Sequence, residues 1–404
     1  MRPEFVSVQR PRILVFSTLY PNAAVPQHGV FVENRLRHLL SGGQVTADVV
    51  APSPWFPASN AAFGTYARLA KVPRREIRHG IDVSHPRFLA LPKVGMTVAP
   101  ALLYAGARSA LRRLQRQGRD FDLIDAHYFY PDGVAAVLLG REFGKPVCIT
   151  ARGTDLSLIP DHALPRRMIV WAAEKAAGLV TVCQALKDRL VELGVSADRI
   201  RVLRNGVDLA QFRPLDRQTE RRRLGVDGTT VVSVGSLIER KGHHLVIEAI
   251  KALPDVTFLI AGEGPERAAL EALAKRLQVS GRVRFLGQIP HDQLAGLYSA
   301  ADVSVLASSR EGWANVLLES LACGTPVVAT NIWGTPEVIA VPEAGALVPE
   351  RTAPAIAGAL RGLLAALPDR AATRAYAERF SWDATAQGQL DLFREILARR
   401  RIHA

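Results

Sequence analysis

Short apolar runs rich in β-branched residues alternate with helical patterns along the whole chain, and this alternation constrains the fold more than any other feature. It is typical of parallel α/β sheets, because a helix usually joins consecutive parallel strands. The alternation pauses after about residue 203 and then restarts, which predicts two doubly wound α/β domains. The predicted strands are 13–17, 46–51, 123–126, 147–151, 179–182 and 200–203 in the first half, and 230–234, 257–261, 283–286, 303–307 and 327–330 in the second.

The segment between the two series is polar and basic, and we interpret it as a linker. It includes residues 204–208 and 214–223. A chain of 404 residues is also long enough for two domains of ordinary size. The sequence therefore predicts one domain over 1–213, a second over 214–380 and a final helix within 381–404.

The composition is that of a globular protein, since 48% of the residues are hydrophobic and 22% are charged. The three cysteines, Cys148, Cys183 and Cys323, are too few and too scattered for a disulfide framework or a zinc cage, so we expect a reducing compartment. The apolar run 13–16 is too short for a signal peptide, and no apolar stretch of about 20 residues is present to span a bilayer. We expect a cytoplasmic protein, at most peripheral on the inner face of the cell membrane.

Most of the formal net charge of +13 belongs to the first half, where residues 1–213 contain 29 Lys and Arg against 17 Asp and Glu, a balance of +12. A predicted basic helix over 104–119 and a cluster at Lys71, Arg74, Arg75 and Arg78 contribute to this excess. Such surfaces attract anionic headgroups or a phosphate-bearing substrate, although ordinary solvated charges explain them equally well. We expect no nucleic-acid partner, because no nucleic-acid-binding motif accompanies these residues.

Glycine-rich loops follow the strands of the second half, where ligands of open α/β sheets collect. The first loop runs from Gly235 to Gly242 and contains Arg240 and Lys241. Glycine allows close approach to an anion, and both cations donate charge-assisted hydrogen bonds to phosphate, so this loop is a candidate phosphate site. A capping turn with solvated cations is the alternative, because the spacing is not that of a P-loop. Similar turns at 262–265 and 287–290 are weaker candidates for contact with a nucleoside.

Two glutamates follow the predicted strand at 303–307. Glu311 lies in the loop before a predicted helix, and Glu319 lies about one turn inside that helix. The two carboxylates could therefore address different parts of one ligand near the positive end of the helix. A solvated helix position is the alternative for Glu319, but its apolar neighbours in the sequence argue against it.

These motifs together resemble the retaining glycosyltransferases of family 4, which have the two-lobed GT-B fold. The stretch from Glu311 through GTPVVA at 324–329 to PEVI at 336–339 is similar to the donor-site signature of that family. The first half is similar to a branch that makes teichuronic acid and other bacterial surface polysaccharides. The matching pieces there are STLYPN at 17–22, HGVFV at 28–32, DAHYFYPDG at 125–133 and RGTD at 152–155.

The resemblance implies two Rossmann-like lobes that face each other across a cleft, with the C-terminal helix packing back towards the first lobe. It implies transfer of a hexose from a nucleotide diphosphate-sugar, with UDP expected first and GDP next, and with retention of anomeric configuration. The acceptor would be lipid-linked or a polysaccharide in cell-surface glycan biosynthesis. We expect neither a metal nor a cofactor, because the cations of the site would stabilise the leaving diphosphate.

The resemblance also assigns roles to individual residues. Glu311, Lys241 and His127 are the expected catalytic residues, and Gly29, Arg152 and Asp155 are expected on the acceptor side. The expected donor-binding residues are Gly235, Ser236, Arg240, Gly262, Gly264, Leu286, Ile289, Gly312, Trp313, Asn315, Val316 and Glu319.

Three positions depart from the common family pattern. Ser236 stands where many relatives have arginine, Arg152 where many have histidine, and Trp333 where glycine is frequent. Two other functions remain open from the sequence: a sugar-nucleotide epimerase with the same two-lobed fold, and a non-catalytic protein of glycan assembly.

Overall fold

The computed structural model describes residues 10–55, 65–90 and 96–403, and these residues form two compact units. The first unit comprises the described parts of Met1–Val182, Leu186–Leu203 and Thr385–Ala404, and the second comprises Cys183–Ala185 and Arg204–Ala384. The boundary between Leu203 and Arg204 lies at the start of the segment interpreted as the linker.

The first unit is built on a mainly parallel sheet of short, buried strands. The strands of this half are β1 (Arg12–Phe16), β2 (Thr46–Val50), β3 (Ser53–Trp55), β4 (Arg75–Arg78), β5 (Ile81–Ser84), β6 (Arg87–Leu89), β7 (Leu123–His127), β8 (Val147–Ala151), β9 (Gly178–Thr181) and β10 (Ile200–Val202). Within the described residues the sheet has the order β10-β9-β8-β7-β1-β2-β5-β4. Among the described strand pairs of this sheet, only β4–β5 is antiparallel, and β3 and β6 pair separately. The strand order reverses at β1, so that the carboxyl ends of β1 and β7 meet at a topological switch point.

Helices connect these strands and bury the apolar residues of β1 and its neighbours. They are α1 (Val30–Ser41), α2 (Thr65–Ala70), α3 (Ala99–Arg116), α4 (Val134–Phe143), α5 (Thr154–Ser157), α6 (Ala163–Lys175) and α7 (Gln184–Glu192). The apolar stripe predicted for the basic helix is buried in α3, at Leu103, Ala107, Leu111 and Leu114.

The second unit contains a parallel sheet whose strands are also largely buried. They are β11 (Thr229–Val234), β12 (Val256–Ala261), β13 (Val283–Gly287), β14 (Val303–Leu306), β15 (Val327–Thr330) and β16 (Gly345–Val348). The order is β13-β12-β11-β14-β15-β16. The chain first moves from β11 towards β13 and then returns to the other side of β11, which puts the switch point between β11 and β14.

Two groups of helices cover the second sheet. They are α8 (Arg217–Leu224), α9 (His243–Ile250), α10 (Arg267–Arg276), α11 (Leu294–Ala300), α12 (Asn315–Ala322), α13 (Thr335–Val338), α14 (Ala353–Ala365) and α15 (Arg370–Ala377). Helices α9, α10 and α14 pack together over one apolar cluster of the sheet. Helix α11 packs on α8 and α12, and α12 also packs on α15.

The last helix, α16 (Trp382–His403), joins the first unit from Thr385 onwards. Phe393 and Ile396 are buried in the same apolar cluster as Ile13 of β1. A Cβ at Gly178 would lie 2.7 Å from the Cδ1 atom of Ile396, so the glycine at the start of β9 lets the helix approach closely. The expectation that the C-terminal helix packs against the first lobe is confirmed.

The predicted strands are confirmed, because each of them is present and begins and ends within one residue of its predicted bounds. Two other predictions need correction. The helix predicted over 104–119 is α3, which begins at Ala99 and ends at Arg116. The polar stretch 214–223, interpreted as part of a linker, contains all but the last residue of the helix α8, whose N-terminus is capped by the Asp216 side chain. The sequence also did not indicate β3 to β6 or β16.

No helix in the part of the chain that the structure describes is long and apolar enough to cross a membrane.

Candidate active site

The loop after β11 brings two cations to the residues that follow β14. Lys241 donates from Nζ to Oε1 of Glu311 over 2.6 Å, and Arg240 donates to the same oxygen over 3.4 Å. The Ser308 hydroxyl donates to that oxygen as well, at 2.7 Å. Because β11 and β14 are neighbours in the sheet, the predicted phosphate loop and Glu311 meet at the switch point.

This cluster is poorly accessible to water and carries an excess of positive charge. The side chains of Lys241 and Glu311 are only 14% and 10% exposed. Burial opposes ionisation of Glu311, but Lys241 and Arg240 outweigh it and hold the pKa of the carboxyl below its usual value. Two cations therefore share one carboxylate, which leaves one positive charge for an anionic ligand.

Glycine at position 242 makes this arrangement possible. Gly242 has a φ of +71° and immediately precedes α9. A Cβ there would lie 2.0 Å from the backbone oxygen of Ala307, the residue that follows β14. Only glycine lets the two loops lie so close together without displacement of the backbone.

The predicted glycine turns also pack backbone against backbone. A Cβ at Gly262, whose φ is +151°, would lie 1.9 Å from the carbonyl oxygen of Gly235. A Cβ at Gly264 would lie 2.3 Å from the backbone oxygen of Leu237. The loops after β11 and β12 therefore form one close-packed surface that larger residues would separate.

The backbone of Ser236 contacts His243, a histidine that the sequence did not indicate as a site residue. His243 Nε2 lies 3.3 Å from the Ser236 carbonyl oxygen, and its Nδ1 lies 3.3 Å from the Ser233 hydroxyl. Burial lowers the pKa of His243 to about 4, so its ring is neutral near pH 7.

The residues after Glu311 lead into the N-terminus of α12. Gly312 and Val316 are half-buried, and Trp313 is buried with its ring 6.2 Å from that of Phe380. Asn315 is the first residue of α12, and its side-chain oxygen accepts a hydrogen bond from Asn205 over 3.2 Å. The expected sugar- and phosphate-binding residues therefore surround the positive end of this helix.

Glu319 lies one turn inside α12, as predicted, and is 8% exposed. Its Oε1 accepts from His291 Nε2 over 3.0 Å, and its Oε2 is 3.4 Å from the Tyr298 hydroxyl. Burial disfavours the charged imidazole, but the hydrogen bond and charge of Glu319 outweigh it and raise the pKa of His291. Leu286 and Ile289, two of the expected donor-binding residues, lie half-buried in β13 and in the loop that follows it.

In the first unit, His127 at the end of β7 lies in a buried chain of polar groups. Its Nε2 is 3.2 Å from Oδ2 of Asp125, and its Nδ1 is 2.6 Å from an Arg152 guanidinium nitrogen. Gln389 of α16 donates to the same Asp125 oxygen over 2.7 Å. Burial lowers the pKa of His127 to about 4, so the neutral ring donates to Asp125 and accepts from Arg152. Both ring nitrogens of His127 are therefore engaged by groups of the protein.

The other acceptor-side residues shape the loops around Arg152. The carboxylate of Asp155 accepts from the backbone N–H groups of Phe129 and Gly153, each over 2.7 Å. The guanidinium carbon of Arg152 lies 5.4 Å from the ring centre of Phe31. Gly29 has a φ of +73°, and its close approach to the backbone of Leu19 leaves no space for a Cβ.

Asp132, within the recognised DAHYFYPDG motif, was not chosen as a site residue. It is fully buried, and both its oxygens accept from Thr18, one from the backbone N–H and the other from the hydroxyl. Burial raises the pKa of Asp132 to about 7. It therefore joins the loop after β1 to the segment after β7 at the switch point of the first sheet.

Many members of the basic clusters are paired inside the first unit. Arg108 and Arg112 of α3 lie near Glu142, and Arg119 contacts Asp48 and Asp82. Arg75 contacts Asp82 as well, and Arg78 contacts Glu33. Arg113 and Arg116 of α3, and Lys71 and Arg74, are exposed. In the described ranges no group of three or more His, Cys, Asp or Glu side chains has the arrangement of a metal site.

The family to which the chain is related follows from comparison with known proteins. Residues 29–211 match Glycosyltransferase Family 4, and residues 216–380 match Glycosyl transferases group 1. A D-inositol 3-phosphate glycosyltransferase of Acidothermus cellulolyticus is 35% identical over 363 residues, which cover 82% of this chain and 80% of the relative. The chain belongs to glycosyltransferase family 4.

Other glycosyltransferases support the same placement. The Bacillus subtilis protein TuaC, named for teichuronic acid biosynthesis, is 30% identical over 331 residues, which cover 80% of this chain and 82% of TuaC. Solved structures of other proteins share the fold. Sucrose-phosphate synthase of Thermosynechococcus elongatus is 22% identical with a TM-score of 0.76, and the match covers 96% of this glycosyltransferase and all of that chain. Anabaena HepE, solved in complex with UDP, is 22% identical with a TM-score of 0.72 over 95% of this chain and all of HepE. The predicted GT-B fold and family are confirmed.

Proposed function

We propose that this glycosyltransferase moves a hexose from a nucleotide diphosphate-sugar to a lipid-linked or polysaccharide acceptor of cell-surface glycan biosynthesis, with retention of anomeric configuration. The observation that carries the proposal is the cluster of Lys241, Arg240 and Glu311 at the switch point of the second sheet. We propose UDP as the nucleotide, with GDP as the next choice.

The cations and backbone dipoles of the second unit would stabilise the leaving diphosphate. Cleavage of the glycosyl phosphate bond develops negative charge on the phosphate oxygen. Lys241 and Arg240 supply positive charge there, and the amides of Gly312, Trp313 and Asn315 lie near the positive end of α12. Fixed donors with little exposure to water stabilise such charge strongly. In this proposal they perform the task without a metal ion.

The two glutamates would recognise the donor rather than attack it. Glu311 would contact the hexose, and Glu319 would accept hydrogen bonds from the nucleotide ribose. The backbone around Leu286 and Ile289 would meet the base, and Gly235, Ser236, Gly262 and Gly264 would line the nucleotide.

Retention of configuration would follow from attack on the same face of the sugar that the diphosphate leaves. The acceptor hydroxyl oxygen bonds to the anomeric carbon as the bond from that carbon to the phosphate oxygen breaks. The hydroxyl proton passes to the departing phosphate. This differs from a retaining hydrolase, in which one of two carboxylates forms a covalent bond to the sugar.

The first unit would bind the acceptor through the loops that contain Gly29, Arg152 and Asp155. Arg152 is a cation at the carboxyl edge of the sheet, so it favours an acceptor that carries a phosphate. A lipid-linked diphosphate meets this requirement. The relation to TuaC supports an acceptor of polysaccharide synthesis.

The cationic side chain of Arg152 also favours a second acceptor class, a small phosphorylated polyol. The 35% identical relative is named a D-inositol 3-phosphate glycosyltransferase, and others of that name are 31% to 38% identical. Incubation with nucleotide-sugar and either inositol phosphate or a lipid diphosphate distinguishes the two classes by the product formed.

We also propose peripheral contact with an anionic membrane surface through exposed basic residues of the first unit. Arg113 and Arg116 of α3 are exposed and lie outside its buried stripe. Lys71 and Arg74 are also exposed, and Ile77, a few residues further along the chain, is 76% exposed. Basic residues next to an exposed apolar side chain favour anionic bilayers.

A thermal-shift screen against UDP-, GDP- and ADP-sugars tests the proposed donor. A bound donor stabilises the folded state by mass action and so raises the melting temperature. At a donor concentration of 100 times its Kd, the free energy of unfolding rises by about 2.7 kcal/mol. We expect one nucleotide class to stabilise the wild type and the Lys251→Ala control, in which an exposed lysine of the same unit is removed. Lys241→Ala should respond weakly. Failure of every nucleotide-sugar to stabilise the wild type would contradict the proposal.

A further inference from the structure

His291 holds the carboxylate of Glu319 in one orientation. Its Nε2 donates to Oε1 of Glu319 over 3.0 Å, and the side chain of His291 is 29% exposed while that of Glu319 is 10% exposed. The second oxygen of Glu319, Oε2, has a long 3.4 Å contact with the Tyr298 hydroxyl. A hydrogen bond of that length is weak, so Oε2 retains the capacity to accept from a better donor.

The segment after the unit boundary fixes the imidazole itself. Gln211 donates from Nε2 to the His291 carbonyl oxygen over 3.1 Å, and the same nitrogen lies 2.9 Å from Nδ1 of His291. With Nδ1 accepting from Gln211, the ring carries a proton on Nε2, the atom that faces Glu319. The ring of Phe212 packs edge-on against the imidazole at 5.1 Å between centres. The rotation and the tautomer of His291 are therefore both set.

Gln211 is in turn placed by Asp208, the last residue of the sequence NGVD at 205–208, which we call the NGVD motif. The Asp208 carboxylate accepts from the backbone N–H groups of Ala210 and Gln211, each over 3.0 Å. This turn presents the Gln211 side chain to His291. A continuous chain of contacts thus runs from the NGVD motif through Gln211 and His291 to Glu319.

We propose that His291 is a positioning residue that orients Glu319 to bind the ribose diol of the donor nucleotide and so determines selectivity for ribose over deoxyribose. This inference rests on the proposed function, because it assumes that Glu319 meets the nucleotide ribose. A carboxylate with one oxygen already bonded loses little rotational freedom when its other oxygen accepts from a ribose hydroxyl. Without His291, the carboxylate could rotate, and the directional hydrogen bond to the sugar would weaken.

Two substitutions separate positioning from a merely structural role. His291→Ala removes the donor to Glu319, whereas His291→Gln retains an amide N–H that can reach the same oxygen. Glu319→Gln changes the acceptor itself. His162→Ala is the matched control, because His162 is an exposed histidine of the first unit.

The test is calorimetric titration of each variant with UDP, GDP and ADP and with the 2′,3′-dideoxy analogue of each. We expect the wild type and His162→Ala to bind the ribose form of one nucleotide at least about tenfold more tightly than its dideoxy form, since a hydrogen bond to a charged group is worth that much. In His291→Ala the affinities for the ribose and dideoxy forms should differ by no more than about threefold, while the affinity for the dideoxy form stays nearly unchanged. We expect the same result for Glu319→Gln. His291→Gln should restore much of the ratio.

The outcomes distinguish failure of this inference from failure of the proposed function. If His291→Ala keeps the full ribose preference while Glu319→Gln loses it, the positioning role is wrong but the donor site stands. Equal loss of ribose and dideoxy binding in His291→Ala, with no rescue by His291→Gln, would show a structural role and also overturn the inference. If the wild type binds none of the nucleotides, the proposed function fails and the inference with it.

Discussion

Lys241 and Glu311 are separated by 70 positions in the sequence, yet Nζ of the lysine lies 2.6 Å from Oε1 of the glutamate. Each follows a different strand of the second sheet, and those strands, β11 and β14, are neighbours at the switch point. The carboxylate of Glu311 is therefore paired with Lys241, the cation that the proposed mechanism assigns to the diphosphate. In the proposed mechanism, binding of a donor would require the lysine to share its charge between the glutamate and the phosphate.

Replacement of Glu311 by glutamine should separate nucleotide binding from sugar transfer. Glutamine removes the negative charge near Lys241, so we expect UDP to bind about three- to tenfold more tightly, which corresponds to roughly 1 kcal/mol. Transfer of the sugar should fall by about 100-fold or more, because the contact with the hexose is altered. Calorimetric titration with UDP and a transfer assay measure the two effects. Weaker binding of UDP to Glu311→Gln would contradict this account of the pair.

The close packing of the glycine loops leads to a second prediction. In Gly262→Ala the new Cβ would meet the Gly235 carbonyl oxygen at 1.9 Å, so the backbone must move. We expect a loss of about 1 to 3 kcal/mol in stability and much weaker binding of nucleotide. Gly281→Ala is the control, because a Cβ there meets no atom within 4 Å. Thermal unfolding with and without UDP gives both quantities. Unchanged nucleotide affinity in Gly262→Ala would show that the loop does not line the nucleotide.

The raised pKa of Asp132 should make the stability of the first unit depend on pH. Its pKa in the folded protein is raised from 3.8 to about 7, so the folded state holds a proton that the unfolded state releases. The stabilisation is complete below pH 3.8 and is lost as the pH rises to about 7, at up to about 1.4 kcal/mol per pH unit. Asp132→Asn does not titrate there, so its stability relative to wild type should improve from pH 5 to pH 7.

Denaturant unfolding of wild type and Asp132→Asn at pH 5, 6, 7 and 8 measures this trend. The difference between the two proteins should level off above about pH 7. A difference that stays constant from pH 5 to pH 7 would mean that Asp132 is ionised across this range in the folded protein.

The strands and the main glycine loops could be predicted because their signals are local. A buried parallel strand is a short apolar run, and a turn that needs a positive φ selects glycine, as at Gly242. The pattern placed both Lys241 and Glu311 after strands of the second sheet, but their direct contact depends on the strand order, which was not predicted. The helix α8 had usable signals as well, because Asp216 caps it and Gly225 ends it, but its polar composition favoured a linker.

Other features leave no local pattern. The strands β4 and β5 pair through alternating charged and apolar residues, with Arg75 opposite Ser84 and near Asp82, so no apolar run marks them. His291 and Gln211 are brought together with Glu319 from three separate segments, and only the fold reveals the contact. The motif that contains His127 was visible in the sequence, but the engagement of both its ring nitrogens was not.

The membrane proposal predicts a specific loss of lipid binding. Reversal of two exposed charges in Arg113→Glu, Arg116→Glu should remove most binding to vesicles that contain anionic lipid, because each basic residue near such a surface contributes about 1 kcal/mol. The control Lys275→Glu, Arg276→Glu makes the same change in net charge on exposed residues of the second unit. Vesicle flotation compares the two double variants with wild type. Equal recovery of wild type with neutral and anionic vesicles would contradict membrane contact.

The central claim is that Lys241 stabilises the departing diphosphate of a nucleotide-sugar. Its most direct test is the rate of transfer or hydrolysis of a radiolabelled hexose from the nucleotide-sugar that stabilises the protein, measured for wild type, Lys241→Ala and Lys251→Ala. We predict that Lys251→Ala matches the wild type and that Lys241→Ala loses about 100- to 1,000-fold in kcat while remaining folded. A wild-type rate in Lys241→Ala, or no reaction of the wild type with any nucleotide-sugar, would contradict it.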